Sequence, residues 1–230
     1  MLRVALTGGV GSGKSAAAAM LRDMGARISQ SDEIGRDLMQ PGQAVFAAIV
    51  ERFGPAVLTP TGELDRAMLG QLAFTQGRLE DLNAIVHPAV IAAQAAWMEK
   101  IGLESRNAVA VVESALIFET QYDADGPVAS GNGAPWRTRF DRIVVITAPL
   151  ELRQQRYLER VRRAFPGQDV ETIQMDFQSR AAAQWSDEKK AALADFVIAN
   201  DGTLGELRLA MEHLYARLRQ DATDEATEAM

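Results

Sequence analysis

The 230-residue chain has no cysteine, which excludes a disulfide framework and thiolate chemistry and fits a reducing compartment. Long apolar runs are missing too. No stretch approaches the roughly twenty residues needed to cross a bilayer, so no membrane partner is expected. Met1 to Thr7 run directly into a strand-like pattern, with no charged-then-apolar leader, and this points to the cytoplasm. Positive charge is in short supply: 24 Lys and Arg stand against 31 Asp and Glu, for a formal net charge of −7. A nucleic-acid track shows as a basic stripe that displaces counterions from phosphates, and no such stripe covers this chain. No nucleic-acid partner is therefore expected. An acidic protein that binds a small polyanion needs a local cluster of basic groups instead.

What is present is ordinary globular material. Hydrophobic residues make up 47% of the chain, enough to fill a core, and the length suits one large α/β domain with an insertion. Leu2 to Thr7 reads as a buried strand, a glycine-rich turn follows, and Ser15 to Met24 has the alanine-rich composition of a helix that Gly25 stops. Ala26 to Gln30 is a second short strand, and Ser31 opens a helix with Asp32 and Glu33 in its first turn. After Pro41-Gly42 the pattern is helical from Gln43 to Gly102, with Val45, Phe46, Ile49, Val50 and Phe53 at helical spacing. That block is too long for a plain crossover and reads as a helical insertion forming a second binding wall.

Strands resume at Val109–Glu113 and Arg142–Thr147, β-branched runs of the kind that lie buried on both faces of a parallel sheet. Between them, Asp123 to Pro135 is rich in Gly, Pro, Ser and Asn and reads as a mobile surface loop. Helices then extend to about Leu193, followed by a last strand, Phe196–Ala199, and a closing helix from Thr203 to Gln220. Asp221 to Met230 reads as an acidic, frayed tail. The expectation is a three-layer α/β fold with a five-stranded parallel sheet. It forms one domain over 1–220, with a core of 1–40, 104–150 and 194–220, a helical region over 41–103 and a lid over 151–193.

The strongest signal is Gly8-Gly9-Val10-Gly11-Ser12-Gly13-Lys14-Ser15, a full match to G-x-x-x-x-G-K-[ST]. At ordinary residue frequencies a chance match in a chain this long arises about once in a hundred. Here it also falls after a strand and before a helix, where the mechanism needs it. Glycines let consecutive N–H groups point into one concavity, and the helix that follows adds its positive end to the same anion. Gly9, Gly11, Ser12, Gly13, Lys14, Ser15 and Ala16 are thus expected to hold nucleotide phosphates, with Lys14 on the β- and γ-phosphates and the Ser15 hydroxyl on Mg²⁺. The motif establishes a nucleotide and leaves the reaction open. A guanine-reading Asn-Lys-x-Asp is absent, which argues against a GTPase switch, and the size favours a small-molecule kinase.

Phosphoryl transfer needs charge neutralisation, an aligned hydroxyl and exclusion of water. Asp32, just past the second strand, has the position to orient an attacking hydroxyl; stabilising its own helix N-terminus is the plainer role. Glu113 at a strand end and Glu119 six residues on are candidates to hold Mg²⁺-bound water, or else mark a solvated strand exit. His87-Pro88 lies between helices, with Pro88 suited to a helix start. The basic cluster is Arg153, Arg156, Arg160 and Arg163, spaced to share one helical face, with Arg180 in the next helix. Such arginines are either a solvated face or the charge of a closing lid, with Pro166-Gly167 as its bend.

The chain resembles the dephospho-coenzyme A kinase family over nearly its whole length. The likeness rests on Val4 to Ser15, Asp32-Glu33-Ile34-Gly35-Arg36 with Pro41-Gly42, His87-Pro88, Leu116-Ile117-Phe118-Glu119, Asp141 to Ile146 with Ala148-Pro149, and Arg180 to Gln184. Lys189 and Ala194 to Gly202 extend it. It implies transfer of the ATP γ-phosphate to the ribose 3′-hydroxyl of dephospho-coenzyme A, with Mg²⁺, as the last step of coenzyme A synthesis. It also implies catalytic roles for Asp32, Lys14, Arg156 and Arg160, and nucleotide contacts from Arg180 and Asn200. Acceptor contacts fall to Asp32, Arg36, His87 and Glu119. The expected partners are these two small molecules, the chain being a monomer or weak homo-oligomer. Three departures stand out. Gln30 replaces an acid at the second strand, Glu113-Ser114-Ala115-Leu116-Ile117 lacks a proline, and Ala16 replaces a threonine.

Overall fold

A computed structural model of the chain describes residues 1–75, 77–120, 122–123, 126–127 and 135–228. In chain order the elements are β1 (Leu2–Gly8), α1 (Lys14–Asp23), β2 (Arg27–Gln30), α2 (Ser31–Leu38), α3 (Ala44–Phe53), a 3₁₀ turn (Pro55–Val57), α4 (Arg66–Thr75) and α5 (Leu79–Glu104). They continue with β3 (Val109–Glu113), β4 (Tyr122–Asp123), β5 (Gly126–Pro127), α6 (Pro135–Arg139), β6 (Arg142–Thr147), α7 (Leu150–Ala164), α8 (Val170–Ala182), α9 (Asp187–Ala191), β7 (Phe196–Ala199) and α10 (Leu204–Glu228).

The main sheet is five-stranded and parallel, in the order β2-β3-β1-β6-β7. β1 lies at its centre, with Val4 opposite Val111 on one side and opposite Arg142 on the other. Its apolar run reads continuously because both faces are covered. On one face Leu2, Val4, Leu6, Val109, Val111, Val144 and Ile146 pack with Ala17, Leu21, Leu207, Met211, Leu214 and Leu218 of α1 and α10. The alternating residues Ala5, Ala110, Val112, Ile143 and Val145 are fully buried on the other face, which gives the three layers expected from sequence.

The chain divides into two compact units: 1–29, 98–119 and 136–230 form one, 30–97 and 120–135 the other. The first holds the main sheet. The second is helical, with a core of Val45, Ile49, Phe53, Val57 and Leu69 joined by Leu82, Ile85 and Val86.

Two expectations are corrected. Pro88 does not start a helix; it lies inside α5, a helix of 26 residues. A proline there forfeits one i→i−4 hydrogen bond and costs about 3 kcal/mol. Ile85, Val86 and Ala89 pack against the core of the second unit and Val90 and Ile91 are buried, so tertiary packing offsets that loss. The end of the chain does not fray at residue 220 either, since α10 continues to Glu228. Asp221 is buried there and accepts from Arg142 Nε at 2.7 Å, with Arg217 Nε at 3.2 Å, while Ala222 sits in the core. Of the expected loop Asp123–Pro135, residues 124–125 and 128–134 lie outside the described residues; Tyr122–Asp123 and Gly126–Pro127 pair as an antiparallel ladder.

Candidate active site

The site is built around the turn from β1 into α1. Gly13 precedes α1 with φ +99°, and α1 receives no side-chain cap at its N-terminus. A β-carbon on Gly13 would lie 2.1 Å from Asn200 Nδ2, so only glycine fits. The start of a helix, with its N–H groups and the positive end of its dipole, favours an anion. Lys14 is the first residue of α1; its stem is buried and its Nζ donates to the Gly9 carbonyl at 3.0 Å, folding the side chain over the loop. Ser12 N–H closes back onto the Gly9 carbonyl at 3.1 Å, and the buried Ser12 hydroxyl has no partner among the described residues.

Ser15, exposed on the first turn, donates from Oγ to Glu113 Oε1 at 3.2 Å. Glu113 ends β3, the strand beside β1, so sheet order alone brings these two residues together. A hydroxyl and a carboxylate are hard oxygen donors. Mg²⁺ takes one or two protein ligands, completing its shell with water and phosphate oxygens, so this pair suits it. Among the described residues no group of three His, Cys, Asp or Glu side chains gathers as a fuller metal cage.

Asn200, at the end of β7, is buried and donates from Nδ2 to the Ser12 carbonyl at 2.7 Å. Arg156 donates in turn to the Asn200 carbonyl at 2.9 Å. Asn200 thus braces the cradle through the Ser12 carbonyl. The arginines of α7 that were expected to share one face do not share one environment. Arg153 is buried, Arg156 is half-buried against Asn200, and Arg160 is exposed with its guanidinium 5.0 Å from the Tyr157 ring centre. Arg163 is exposed. Arg180 is exposed and donates to Asp176 one turn earlier at 2.9 Å. Tyr157 donates its hydroxyl to Asp176, and burial first, then that hydrogen bond, pushes its phenol above the ordinary tyrosine range.

Glu119 is held by α9 and the turn before it. Its Oε1 accepts from Lys190 Nζ and from the Trp185 backbone N–H, each at 2.8 Å. Lys190 is fully buried and also donates to the Ala115 carbonyl at 2.9 Å. Phe118, next to Glu119 in sequence, forms an aromatic cluster with Trp136 and Trp185, with ring centres 5.2–6.1 Å apart. A carboxylate held as the counter-ion of a buried lysine is tied to that charge and is a structural anchor of the β3 exit. Lysines in a short polar helix read as solvated, so the pair left no trace in the sequence.

In the second unit, Asp32 and Arg36 are exposed on the short helix α2. Ser31 before them accepts from Gln94 Nε2 of α5 at 2.7 Å, which ties the start of α2 to that helix. His87 is half-buried on α5.

Comparison with known proteins adds the substrate class. The family model described as Dephospho-CoA kinase matches residues 2–206. The chain belongs to the dephospho-CoA kinase family. It is 34% identical to a dephospho-CoA kinase of Thermobifida fusca, over 96% of this chain and 98% of that one. It is 37% identical to one from Streptomyces avermitilis, over 95% and 94%. Among solved structures, TT1252 from Thermus thermophilus aligns with a TM-score of 0.66 at 28% identity, covering 94% of this chain and 97% of that one. Dephospho-CoA kinase from Campylobacter jejuni aligns at 0.62 and 20% identity, covering 95% and 98%, a likeness of fold. The chain is therefore an ATP-dependent kinase acting on an alcohol group.

Proposed function

We propose that this chain transfers the γ-phosphoryl group of ATP to the ribose 3′-hydroxyl of dephospho-CoA, giving CoA and ADP. The observation that carries the reading is the complete cradle, with Lys14 folded over Gly9 and Ser15 beside Glu113, in a chain matched to the family from residue 2 to residue 206.

The cradle's backbone N–H groups and the start of α1 bind the phosphates, and Lys14 supplies the charge that the β- and γ-phosphoryl oxygens need. Ser15, with Glu113 reaching through water, would hold Mg²⁺, which neutralises phosphate charge when bound. Arg156 and Arg160 bring further positive charge as the lid region, 151–193, closes; Arg180 and Asn200 complete the nucleotide side. Asp32 orients the acceptor hydroxyl and takes its proton as the hydroxyl oxygen bonds to the γ-phosphorus and the bond to the ADP oxygen breaks. Arg36 and His87, in the helical region 41–103 and its approach, contact the acceptor. The setting is the cytoplasm, the chain works as a monomer or weak homo-oligomer, and neither nucleic acid nor membrane takes part.

The test is ADP release by the purified protein with ATP and Mg²⁺, with and without dephospho-CoA. Release that requires the acceptor, with CoA identified by mass, is the expected result. Release that ignores dephospho-CoA but rises with a nucleoside or nucleotide would overturn the acceptor assignment.

A further inference from the structure

Val10 is one of the unspecified positions of the cradle motif, yet it is held on three sides. Its side chain is buried among Tyr157, Ile173 and Phe177 of α7 and α8. Its N–H donates to Gln184 Oε1 at 2.9 Å. Its carbonyl accepts from Arg153 Nε, also at 2.9 Å. Arg153 in turn donates from Nη1 to Asp187 Oδ2 at 3.1 Å, and the two side chains are only 11% and 12% exposed. The guanidinium lies flat over Gly9, where an added β-carbon would sit 2.3 Å from Nη2. The Arg153 backbone carbonyl closes on Gly11, 2.3 Å from where its β-carbon would be.

We propose that Arg153, oriented by Asp187, is a positioning residue for the phosphate cradle. Acting with Gln184, it fixes the peptide planes on both sides of Val10. The proposal rests on reading the cradle as the ATP site.

A phosphate cradle grips through the direction of its N–H groups, and those directions follow the peptide planes. Gly9 and Gly11 make the wrap possible but leave the torsions beside Val10 soft. Stiffness must then come from outside the loop. Two opposed hydrogen bonds, one to the Val10 N–H and one to its carbonyl, together with a buried side chain, provide it. Electrostatic stabilisation is strong only where donors are preorganised, because no reorganisation is then needed on binding. The chemistry also explains the residue type. Arginine offers a rigid planar fork that can serve the Val10 carbonyl and Asp187 at once, whereas lysine is a point donor that meets one of them. Asp187 offsets the arginine's charge at close range, so Arg153 serves to orient the loop and adds little net attraction for phosphate.

The test measures ATP affinity directly by calorimetry without acceptor, beside kcat, acceptor KM and melting temperature. Arg153→Met should raise the Kd for ATP by about 10- to 100-fold, with acceptor KM at saturating ATP within about twofold of wild type. Arg153→Lys should recover little of that loss. Asp187→Asn should weaken ATP binding by about 3- to 10-fold in the wild-type background and have no further effect when Arg153 is already methionine. ATP affinity within about twofold of wild type in folded Arg153→Met would overturn the proposal. So would an equal effect of Asp187→Asn with and without Arg153. If Arg153→Met does not fold, Asp187→Asn, which keeps the side-chain size, decides: weaker ATP binding at an unchanged melting temperature supports the clamp, and unchanged binding overturns it. Because no acceptor is present, a chain that shows the clamp effect but does not phosphorylate dephospho-CoA would refute the acceptor assignment and leave the clamp standing.

Discussion

At the scale of single residues, the proposed function gives Lys14 and Asp32 different parts of the chemistry. Lys14 is the cation proposed to meet the phosphates, and its stem is buried along the loop. Lys14→Ala should lower turnover at least about 100-fold in a steady-state assay, the size of effect seen when one preorganised donor is lost. A drop of less than tenfold would remove Lys14 from its role. Asp32 is exposed on the first turn of α2, where a carboxylate can either orient an acceptor or merely complement the helix dipole. Asp32→Asn keeps size and polarity. It should cut turnover by about 10²- to 10⁴-fold while ATP affinity stays within about twofold. Unchanged turnover would leave Asp32 with the helix alone. The cradle was legible in the sequence because its logic is local: eight consecutive residues between a strand and a helix. The hold on Val10 was not, since its partners lie 143 and 174 positions away. Only the fold brings them together.

At the scale of elements, the strands were readable because residues buried on two faces write an unbroken apolar run, as in Val109–Glu113 and Arg142–Thr147. Helix ends were less readable: Asp169 caps α8 inside a stretch read only as helices to about Leu193. Its carboxylate accepts from Thr172 N–H at 2.8 Å and from the Thr172 hydroxyl at 3.0 Å, and these bonds hold it below the ordinary carboxylate range. The sign follows. A group whose pKa falls on folding stabilises the fold above its unfolded value and loses that contribution as pH drops through the folded one. Asp169→Ala should therefore melt below wild type at neutral pH, and the difference should shrink as pH falls through about 4 and below. Thermal melts across pH 3 to 7 check this; a gap that stays constant with pH would contradict it. Pro88 was misread for an equally physical reason. Local propensity sets proline at a helix start, and only the packing of Ile85, Val86 and Ala89 shows why α5 carries it inside.

At the scale of the whole molecule, composition supplied the class and the family match supplied the substrate, while several long-range ion pairs became visible only in three dimensions. The end of the chain is an example. Asp221 to Met230 lacks aromatics and has an acidic composition, yet Asp221 is buried against Arg142 at the start of β6. Ending the chain after Gln220 removes that acceptor and the buried Ala222. It should cost about 1–3 kcal/mol, which in a chain of this size lowers the melting temperature by roughly 2–10 °C. A truncated chain that melts with the 230-residue one would show that the last turns contribute nothing.

The central claim concerns where the phosphoryl group goes, and labelled transfer tests it most directly. With ATP carrying a labelled γ-phosphate, and dephospho-CoA as acceptor, fragmentation of the product by mass spectrometry locates the label. The account predicts label on the ribose 3′-oxygen of CoA, and none there with Lys14→Ala. Label on another hydroxyl, or released as inorganic phosphate while dephospho-CoA stays unchanged, would contradict it.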